Sequence, residues 1–207
     1  MKKIVIIAVA VVLCVAAVLV YIMRGDITGK LIQARVESAL EKSPFVESWT
    51  IGKTSYKDGR FDMTGLELLV NGGGKIRVAS ISADGIDREA KTAEMLVISG
   101  VEFSNKILAL NCVMKEAAVD KPDFSETQEQ IDEGNYSTFM GYENAMASDM
   151  RCTAANGVVF SMSSYDLSGP VAAGQTPATP TASAKDITVR NPMTPFTIPN
   201  MTVTTSE

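Results

Sequence analysis

The chain has 207 residues, of which 19 are basic and 24 acidic; it has three cysteines and no histidine. The missing histidine excludes Ser-His-Asp and Cys-His nucleophile systems and most zinc sites. Lys2, Lys3 and Arg24 are the only charged residues of the first 24, so the following 183 residues carry a net charge of −8. This acidic balance argues against a nucleic-acid-binding protein, which needs a basic stripe.

The first element is an uncharged stretch of 20 residues, Ile4–Met23. A helix of that length is ~30 Å long, the thickness of the hydrocarbon core of a bilayer. Lys2, Lys3 and the terminal amine favour a cytoplasmic N-terminus. We therefore expect a transmembrane signal-anchor over residues 1–24, which contacts the lipid bilayer through residues 4–23. The expected location is a bacterial inner (cytoplasmic) membrane, crossed once, with the C-terminal domain in the periplasm.

A cleaved signal peptide is the alternative interpretation of this stretch. The apolar core of such a peptide usually has ~7–15 residues and ends in small side chains. Here the run is longer and ends in the bulky residues Tyr21, Ile22 and Met23. A lipoprotein site at Cys14 is disfavoured as well, because Leu13 before it is too large. An uncleaved anchor is the better interpretation.

A juxtamembrane helix is predicted within residues 25–44. Apolar residues recur at roughly helical spacing over Asp26–Lys42, and Ser43-Pro44 ends the pattern because the residue before proline avoids the helical region. The apolar face of such a helix either packs on the following domain or lies on the bilayer surface. Packing on the domain is favoured.

From Val46 the sequence alternates in the manner of β-strands. The turn signals Lys57-Asp58-Gly59 and Asn71-Gly72-Gly73-Gly74 separate these runs. The alternation changes phase at Gly65, which indicates a bulge. Strands are predicted over Val46–Tyr56, Arg60–Val70, Lys75–Ile86, Glu94–Phe103 and Lys106–Val119.

A short internal repeat lies within these strands. Thr64-Gly65-Leu66-Glu67-Leu68 is matched 35 residues later by Ser99-Gly100-Val101-Glu102-Phe103. Two copies of a hairpin unit explain the match, and chance similarity is the alternative. Glu67 and Glu102 form a candidate carboxylate pair, but glutamate on the solvent face of a strand is much more common.

The remainder of the chain is less regular. A polar, acidic segment predicts short helices over Glu126–Glu133 and Tyr136–Ala147, and strands resume at Met150–Ala155 and Gly157–Leu167. Residues 169–184 are rich in Pro, Ala and Thr and predict a linker. The expected division is therefore a β-rich domain over 45–168, a linker over 169–184 and a β-like tail over 185–207, in which prolines restrict Lys185–Arg190 and Phe196–Thr204 to sheet edges.

Cys112 and Cys152 are the two cysteines outside the predicted anchor. In an oxidising compartment they are candidates for a disulfide, which would close a loop of ~40 residues and stabilise the fold by roughly 3–4 kcal/mol. Two separate buried thiols are an equally weighted alternative, because a free cysteine packs like a small apolar residue.

The chain contains the short motifs Trp49-Thr50-Ile51-Gly52, Tyr56-Lys57-Asp58-Gly59-Arg60-Phe61, Thr64-Gly65-Leu66 and Ser99-Gly100-Val101. These motifs resemble those of bacterial envelope proteins of the AsmA-like and YdgA-like kind. The resemblance covers residues 1–119 and implies an N-terminal anchor, β-hairpin repeats and a role in envelope maintenance or lipid handling. It carries over no functional residue.

The expected fold is mainly β: an anchor and an amphipathic stalk, then an antiparallel sheet, either a meander or a half-barrel, with a short helical insertion. The leading functional hypothesis is a non-enzymatic, membrane-anchored extracytoplasmic binding or scaffold protein with a protein partner or a lipid ligand. A lipid-binding β-groove is the second hypothesis. A hydrolase that uses Asp58, Asp62 or Glu67 is the third and weakest. No catalytic residue, cofactor site or metal site is predicted.

Overall fold

The computed structural model describes residues 34, 36–38, 40, 41, 43, 46–87, 89–123, 141–171, 181–190 and 196–204. The predicted anchor Ile4–Met23 and the predicted helix Glu126–Glu133 lie outside these residues. Within the described part of the chain, no helix has both the length and the apolar character needed to cross a membrane.

The described residues form one antiparallel sheet, which confirms the mainly β prediction. Neighbours in the sheet are neighbours in sequence from β3 to β10, so the sheet is a meander, and both β1 and β2 pair with β3 along its free side. The strands are β1 Val46–Thr50, β2 Lys53–Lys57, β3 Arg60–Val70, β4 Gly74–Asp84, β5 Met95–Asn105, β6 Leu110–Asp120, β7 Tyr142–Ala154, β8 Val159–Val171, β9 Thr181–Arg190 and β10 Phe196–Thr204.

Opposed residues of paired strands project to the same side of a sheet. On one side of this sheet, these residues are mainly apolar. The register connects apolar residues across the whole sheet. One such row, which we call the long apolar row, consists of Trp49, Leu68, Ile76, Phe103, Cys112, Cys152, Phe160, Val189 and Phe196. Along each strand, the side chains that alternate with the apolar ones project from the opposite face, which we call the polar face.

A short helical segment covers the first part of the apolar face. Its described residues are 34, 36–38, 40 and 41, which fall within the predicted helix Asp26–Lys42. Val36 and Leu40 are four residues apart, so they share one side of the helix, and both are buried in the same core cluster as Phe61 and Leu68. Burial of such side chains contributes about 1.5–3 kcal/mol each.

A line of irregular pairs crosses the sheet from β3 to β10. In every pairing along the meander, the ladder is interrupted at this level, by two opposed pairs between β8 and β9 and by one elsewhere, although the register on the two sides agrees. Every second strand has a left-handed residue here, with φ between 49° and 66°. We call this line the bulge row; its members are Gly65, Ala79, Gly100, Lys115, Asp149, Ser163, Asp186 and Pro199.

The bulge row explains the phase change that the sequence shows at Gly65. In β3 the buried residues are Phe61 and Met63 before the row and Leu66 and Leu68 after it, so the buried parity switches there. Because each neighbouring strand switches at the same level, the apolar face continues unbroken. The phase change predicted from one strand is a feature of the whole sheet, but the prediction of a β-bulge at Gly65 is wrong, because the register between β3 and β4 is the same on both sides of it.

The close approach of two strands at this row predicts a large effect for Gly100→Ala. A Cβ at Gly100 would lie 2.7 Å from the Cβ of Ala79, and φ is +62°. The left-handed conformation costs an ordinary residue about 1–2 kcal/mol, and overpacking costs about 1–3 kcal/mol more. We therefore expect Gly100→Ala to lower the free energy of unfolding by about 2–5 kcal/mol, measured by denaturant unfolding.

Gly72→Ala is the matched control, because Gly72 also has a positive φ but has open space around its Cβ position. It should show the conformational cost alone. Adding Ala79→Gly to Gly100→Ala should relieve the overpacking, so that the stability lost through Gly100→Ala falls to that lost through Gly72→Ala. Equal effects of Gly100→Ala and Gly72→Ala would contradict the close approach.

Three sequence predictions differ from the structure in the second half of the sheet. The predicted helix Tyr136–Ala147 is wrong for residues 142–147, which belong to β7; pairing with β6 on one side and β8 on the other overrides the helical preference of Ala145, Met146 and Ala147. The predicted linker 169–184 is also strand at both ends, because β8 continues to Val171 and β9 begins at Thr181. β9 and β10, within the predicted tail, extend the same sheet. The predicted edge position is wrong for Lys185–Arg190, because β9 pairs with β8 on one side and with β10 on the other.

Candidate functional site: the open end of the apolar face

The apolar face is covered at one side of the sheet and open at the other. Along the long apolar row, Leu68 in β3 is 1% exposed and Ile76 and Phe103 are buried, whereas Phe160 and Val189 are half-buried and Phe196 in β10 is 53% exposed. Strands lie about 4.8 Å apart, so the change takes place within the width of a few side chains. Exposure of apolar side chains therefore increases towards β10.

The buried residues form two separate clusters, one at the covered side of the sheet and one towards the open side. The main cluster contains Val36, Leu40 and the apolar residues of β3 to β5, while a second, smaller cluster contains Met162, Ala184 and Ile187 with Met150 and Phe160 packed against it. Beyond this second cluster, four large apolar side chains of the same face are exposed. We call them the open apolar surface: Tyr165, Phe196, Ile198 and Met201.

Contiguous apolar patches are uncommon on the surface of monomeric soluble proteins, and they usually mark a site of interaction. From β8 to β10 the surface spans two strand spacings, ~10 Å, and with the half-buried positions of β6 and β7 it reaches ~19 Å. Its side chains carry only one polar atom group, the hydroxyl of Tyr165. The arrangement suits a long apolar ligand and offers little for the recognition of a charged one.

Cys112 and Cys152 occupy the centre of the long apolar row. They are directly opposed in the pairing of β6 with β7, and the structure joins their sulfur atoms in a disulfide across 40 positions of sequence. Both residues are half-buried. The bond connects β6 to β7 at the boundary between the covered and the open parts of the apolar face.

The candidate carboxylates Glu67 and Glu102 lie on the polar face, on either side of Arg77. The register opposes Glu67 to Arg77 and Arg77 to Glu102. The Nε of Arg77 is 2.9 Å from Glu67 Oε1, its Nη1 is 3.6 Å from Glu102 Oε2, and the Nζ of Lys75 is 2.6 Å from Glu67 Oε2. All four side chains are solvent-exposed, so they form a surface ion-pair network.

The same geometry disfavours Glu67 as a general acid. The hydrogen bond from Lys75 and the charges of Arg77 and Lys75 lower the pKa of Glu67 below its ordinary value. A general acid at neutral pH needs the opposite shift. Glu67 is therefore held as a carboxylate.

The other carboxylates of the hydrolase hypothesis are also in surface positions. Asp58 lies in the β2–β3 turn and is mostly exposed, 3.9 Å from Lys57 Nζ. Asp62 accepts hydrogen bonds from Arg60, whose guanidinium also contacts Asp84. Asp62 and Glu67 lie on opposite sides of the bulge row and do not converge. Among the described residues, no group of three or more Cys, Asp and Glu side chains is placed to hold a metal ion.

The lowered pKa of Glu67 predicts a pH dependence with a definite sign. A carboxyl whose pKa is lower in the folded state stabilises the fold above its ordinary pKa, and that contribution is lost as the pH falls through the folded value. In a carbon-detected NMR titration, we expect the Glu67 carboxyl to titrate below its ordinary value, and Lys75→Met to move it upward. The same midpoint in both proteins would contradict the role of Lys75.

Both cysteines and both glutamates were evident from the sequence, whereas the open apolar surface was not. Three of its four members lie in β10, which was assigned to a tail, and Tyr165 lies in β8, whose partner β9 was assigned to the same tail. The available signal was the alternation Ala182, Ala184 and then Ile187, Val189 on the shifted parity. Comparison of the chain with protein-family models, with curated proteins and with solved structures found no match.

Proposed function

We propose that this chain is a membrane-tethered, extracytoplasmic binding protein whose apolar sheet face takes lipid acyl chains. The observation that carries the proposal is the long apolar row, which runs from β1 through β3 and each following strand to β10 and loses its cover towards β10. In this proposal residues 4–23 anchor the chain in the bacterial inner membrane, and the sheet stands in the periplasm.

The uncharged stretch supports the tether, because it is long enough to span a bilayer. It also supports a lipid as the ligand, since it brings the apolar face close to a source of acyl chains. Residues 24–33 are ten residues, which reach at most ~36 Å. The beginning of the helical segment, which packs on the sheet, therefore stays within that distance of the end of the stretch.

The edges of the sheet favour binding of a ligand to the apolar face rather than addition of a strand from a protein partner. The edge strand β10 contains Pro199, which has no N–H to donate to a further strand. At the other edge, β1 and β2 are interrupted at Ile51-Gly52, where a side chain at Gly52 would lie 2.8 Å from the carbonyl oxygen of Thr64. Neither edge offers a long, uninterrupted ladder.

The test uses the full chain reconstituted in vesicles that contain a phospholipid with a photoreactive diazirine on its acyl chain. After illumination, we expect crosslinks on the open apolar surface as well as within residues 4–23. Crosslinks confined to residues 4–23 would overturn lipid binding by the sheet. Turnover of a lipid or glycan by the purified protein would overturn the non-enzymatic assignment.

A matched pair of variants separates the two faces. Met201 is 43% exposed on the apolar face, and Val113 is 47% exposed on the polar face. Met201→Lys should abolish crosslinking on β10 and reduce it on Tyr165, whereas Val113→Lys should leave both unchanged. Equal effects of the two lysines would show that general surface charge, rather than the apolar face, controls the reaction.

A further inference from the structure

The two ends of the sheet differ in polarity. At one end lie the turns β3–β4, β5–β6 and β7–β8, which we call the tip end; at the other lie the β2–β3 turn and the β4–β5 loop. Six of the ten exposed large apolar side chains lie on the tip side of the bulge row: Leu69, Ile107, Leu108, Val113, Phe196 and Ile198.

The β5–β6 turn carries two of these side chains at the tip end. Ile107 and Leu108 are adjacent in the β5–β6 turn; Ile107 is 77% exposed, more than any other large apolar residue among those described. Gly73 of the neighbouring β3–β4 turn lies beside Ile107, because a Cβ at Gly73 would be 3.3 Å from Ile107 Cδ1. Lys106 precedes the apolar pair. A projecting apolar pair beside a lysine suits the headgroup layer of a bilayer.

The charged residues are also distributed unevenly between the two ends of the sheet. Among the described residues of β1 to β10 and their connections, the tip side of the bulge row carries five basic and three acidic residues, and the opposite side six basic and eleven acidic residues. The basic residues of the tip side are Lys75, Arg77, Lys106, Arg151 and Arg190. An anionic membrane surface attracts the tip end and repels the opposite one.

The chain also reaches the sheet at the tip end. The helical segment leads through Ser43 to Val46, the first residue of β1, and Val46 is opposed to Val70, the last residue of β3 before the β3–β4 turn. The helical segment is preceded by the ten residues 24–33 and then by the uncharged stretch. Apolar exposure and charge therefore agree on one end of the sheet, and β1 begins at that same end.

We propose that the tip end rests in the headgroup layer of the bilayer, with Ile107 and Leu108 as its deepest residues and the acidic end directed away from the membrane. The partner is a lipid surface with anionic headgroups. This inference rests on the proposed tether, but not on acyl-chain binding by the open apolar surface. In this orientation the strands stand upright on the bilayer, and the rows of the apolar face run parallel to it.

The test places a single tryptophan at each end of the full chain. In a Trp49→Phe background, Ile107→Trp marks the tip end and Lys57→Trp, at an equally exposed position beside the β2–β3 turn, marks the opposite end. Each protein is reconstituted in vesicles of phosphatidylcholine and phosphatidylglycerol, with or without bromine on the acyl chains of the phosphatidylcholine. Both positions are on the surface, so neither substitution disturbs the core.

We expect bromine to remove most of the fluorescence of the tryptophan at 107 and none of that at 57. Replacing Lys106 with glutamate, or phosphatidylglycerol with phosphatidylcholine, should reduce the quenching. Flotation of the vesicles is measured in parallel. Protein that floats with the vesicles but shows no quenching at 107, or equal quenching at both ends, overturns the orientation and leaves the tether intact; protein that does not float overturns both.

Discussion

Removing the disulfide through Cys112→Ala with Cys152→Ala is expected to lower the free energy of unfolding by about 3–4 kcal/mol. The bond closes a loop of 40 positions, and the loss of loop-closure entropy from the unfolded chain has that magnitude in the chain-entropy description. Denaturant unfolding of the oxidised protein and of the double variant measures the difference, and a single transition with an unchanged slope supports its interpretation as stability.

Reduction provides the control for this prediction. A reductant should lower the unfolding midpoint of the unmodified protein towards that of the double variant and leave the double variant unchanged. If the unmodified protein does not respond, the two cysteines are not bonded in solution and act as two packed thiols. The result also bears on the proposed function, because the bond lies where the apolar face opens.

Phe61→Ala is expected to lower the free energy of unfolding by about 3–5 kcal/mol, the usual cost of removing a buried aromatic ring. Phe61 is completely buried, and its neighbours across the sheet are Tyr56 in β2 and Ala83 in β4. Alanine at 83 provides no bulk to fill the space, so the cavity should persist. Denaturant unfolding measures the effect.

Leu69→Ala is the matched control in the same strand. Leu69 projects from the polar face and is more than a third exposed, so its loss should change the free energy of unfolding by well under ~1 kcal/mol. Similar losses for Phe61→Ala and Leu69→Ala would mean that the two faces of β3 are not differently buried. That result would remove the basis for an apolar face.

Much of the first half of the sheet follows from the sequence, because its local signals agree with one another. The β3–β4 hairpin has strict alternation, a glycine-rich turn and a phase change at a glycine. The repeat at Gly65 and Gly100 corresponds to two left-handed residues at one level of the sheet. The glutamates that match in the repeat, Glu67 and Glu102, share Arg77 for the same reason.

The second half of the sheet was harder to predict, because the positions equivalent to the repeat at Gly65 and Gly100 carry different residues there. Asp149 and Asp186 take the left-handed conformation that glycine adopts at 65 and 100, since aspartate tolerates that region better than most residues. The motifs Ser148-Asp149-Met150-Arg151-Cys152 and Lys185-Asp186-Ile187-Thr188-Val189 thus continue the repeat without its glycine signature. Long connections between them also obscure the period.

The open apolar surface could not be deduced from the pattern of residues alone. Phe196 and Leu68 both belong to an alternating apolar set, yet one is exposed and the other buried. The difference arises from the helical segment, whose Val36 and Leu40 pack over the early strands. Which part of a sheet a short helix covers is a tertiary property that alternation does not encode.

The bulge row makes each pair of strands an interchangeable module. Since the left-handed position recurs in β3, β5, β7 and β9, a duplicated pair would continue the ladder on both sides without altering any existing register. Each added pair would widen the scaffold by ~10 Å. Duplication or deletion of such modules therefore offers a route by which evolution, or an engineer, adjusts the dimensions of what this scaffold accommodates.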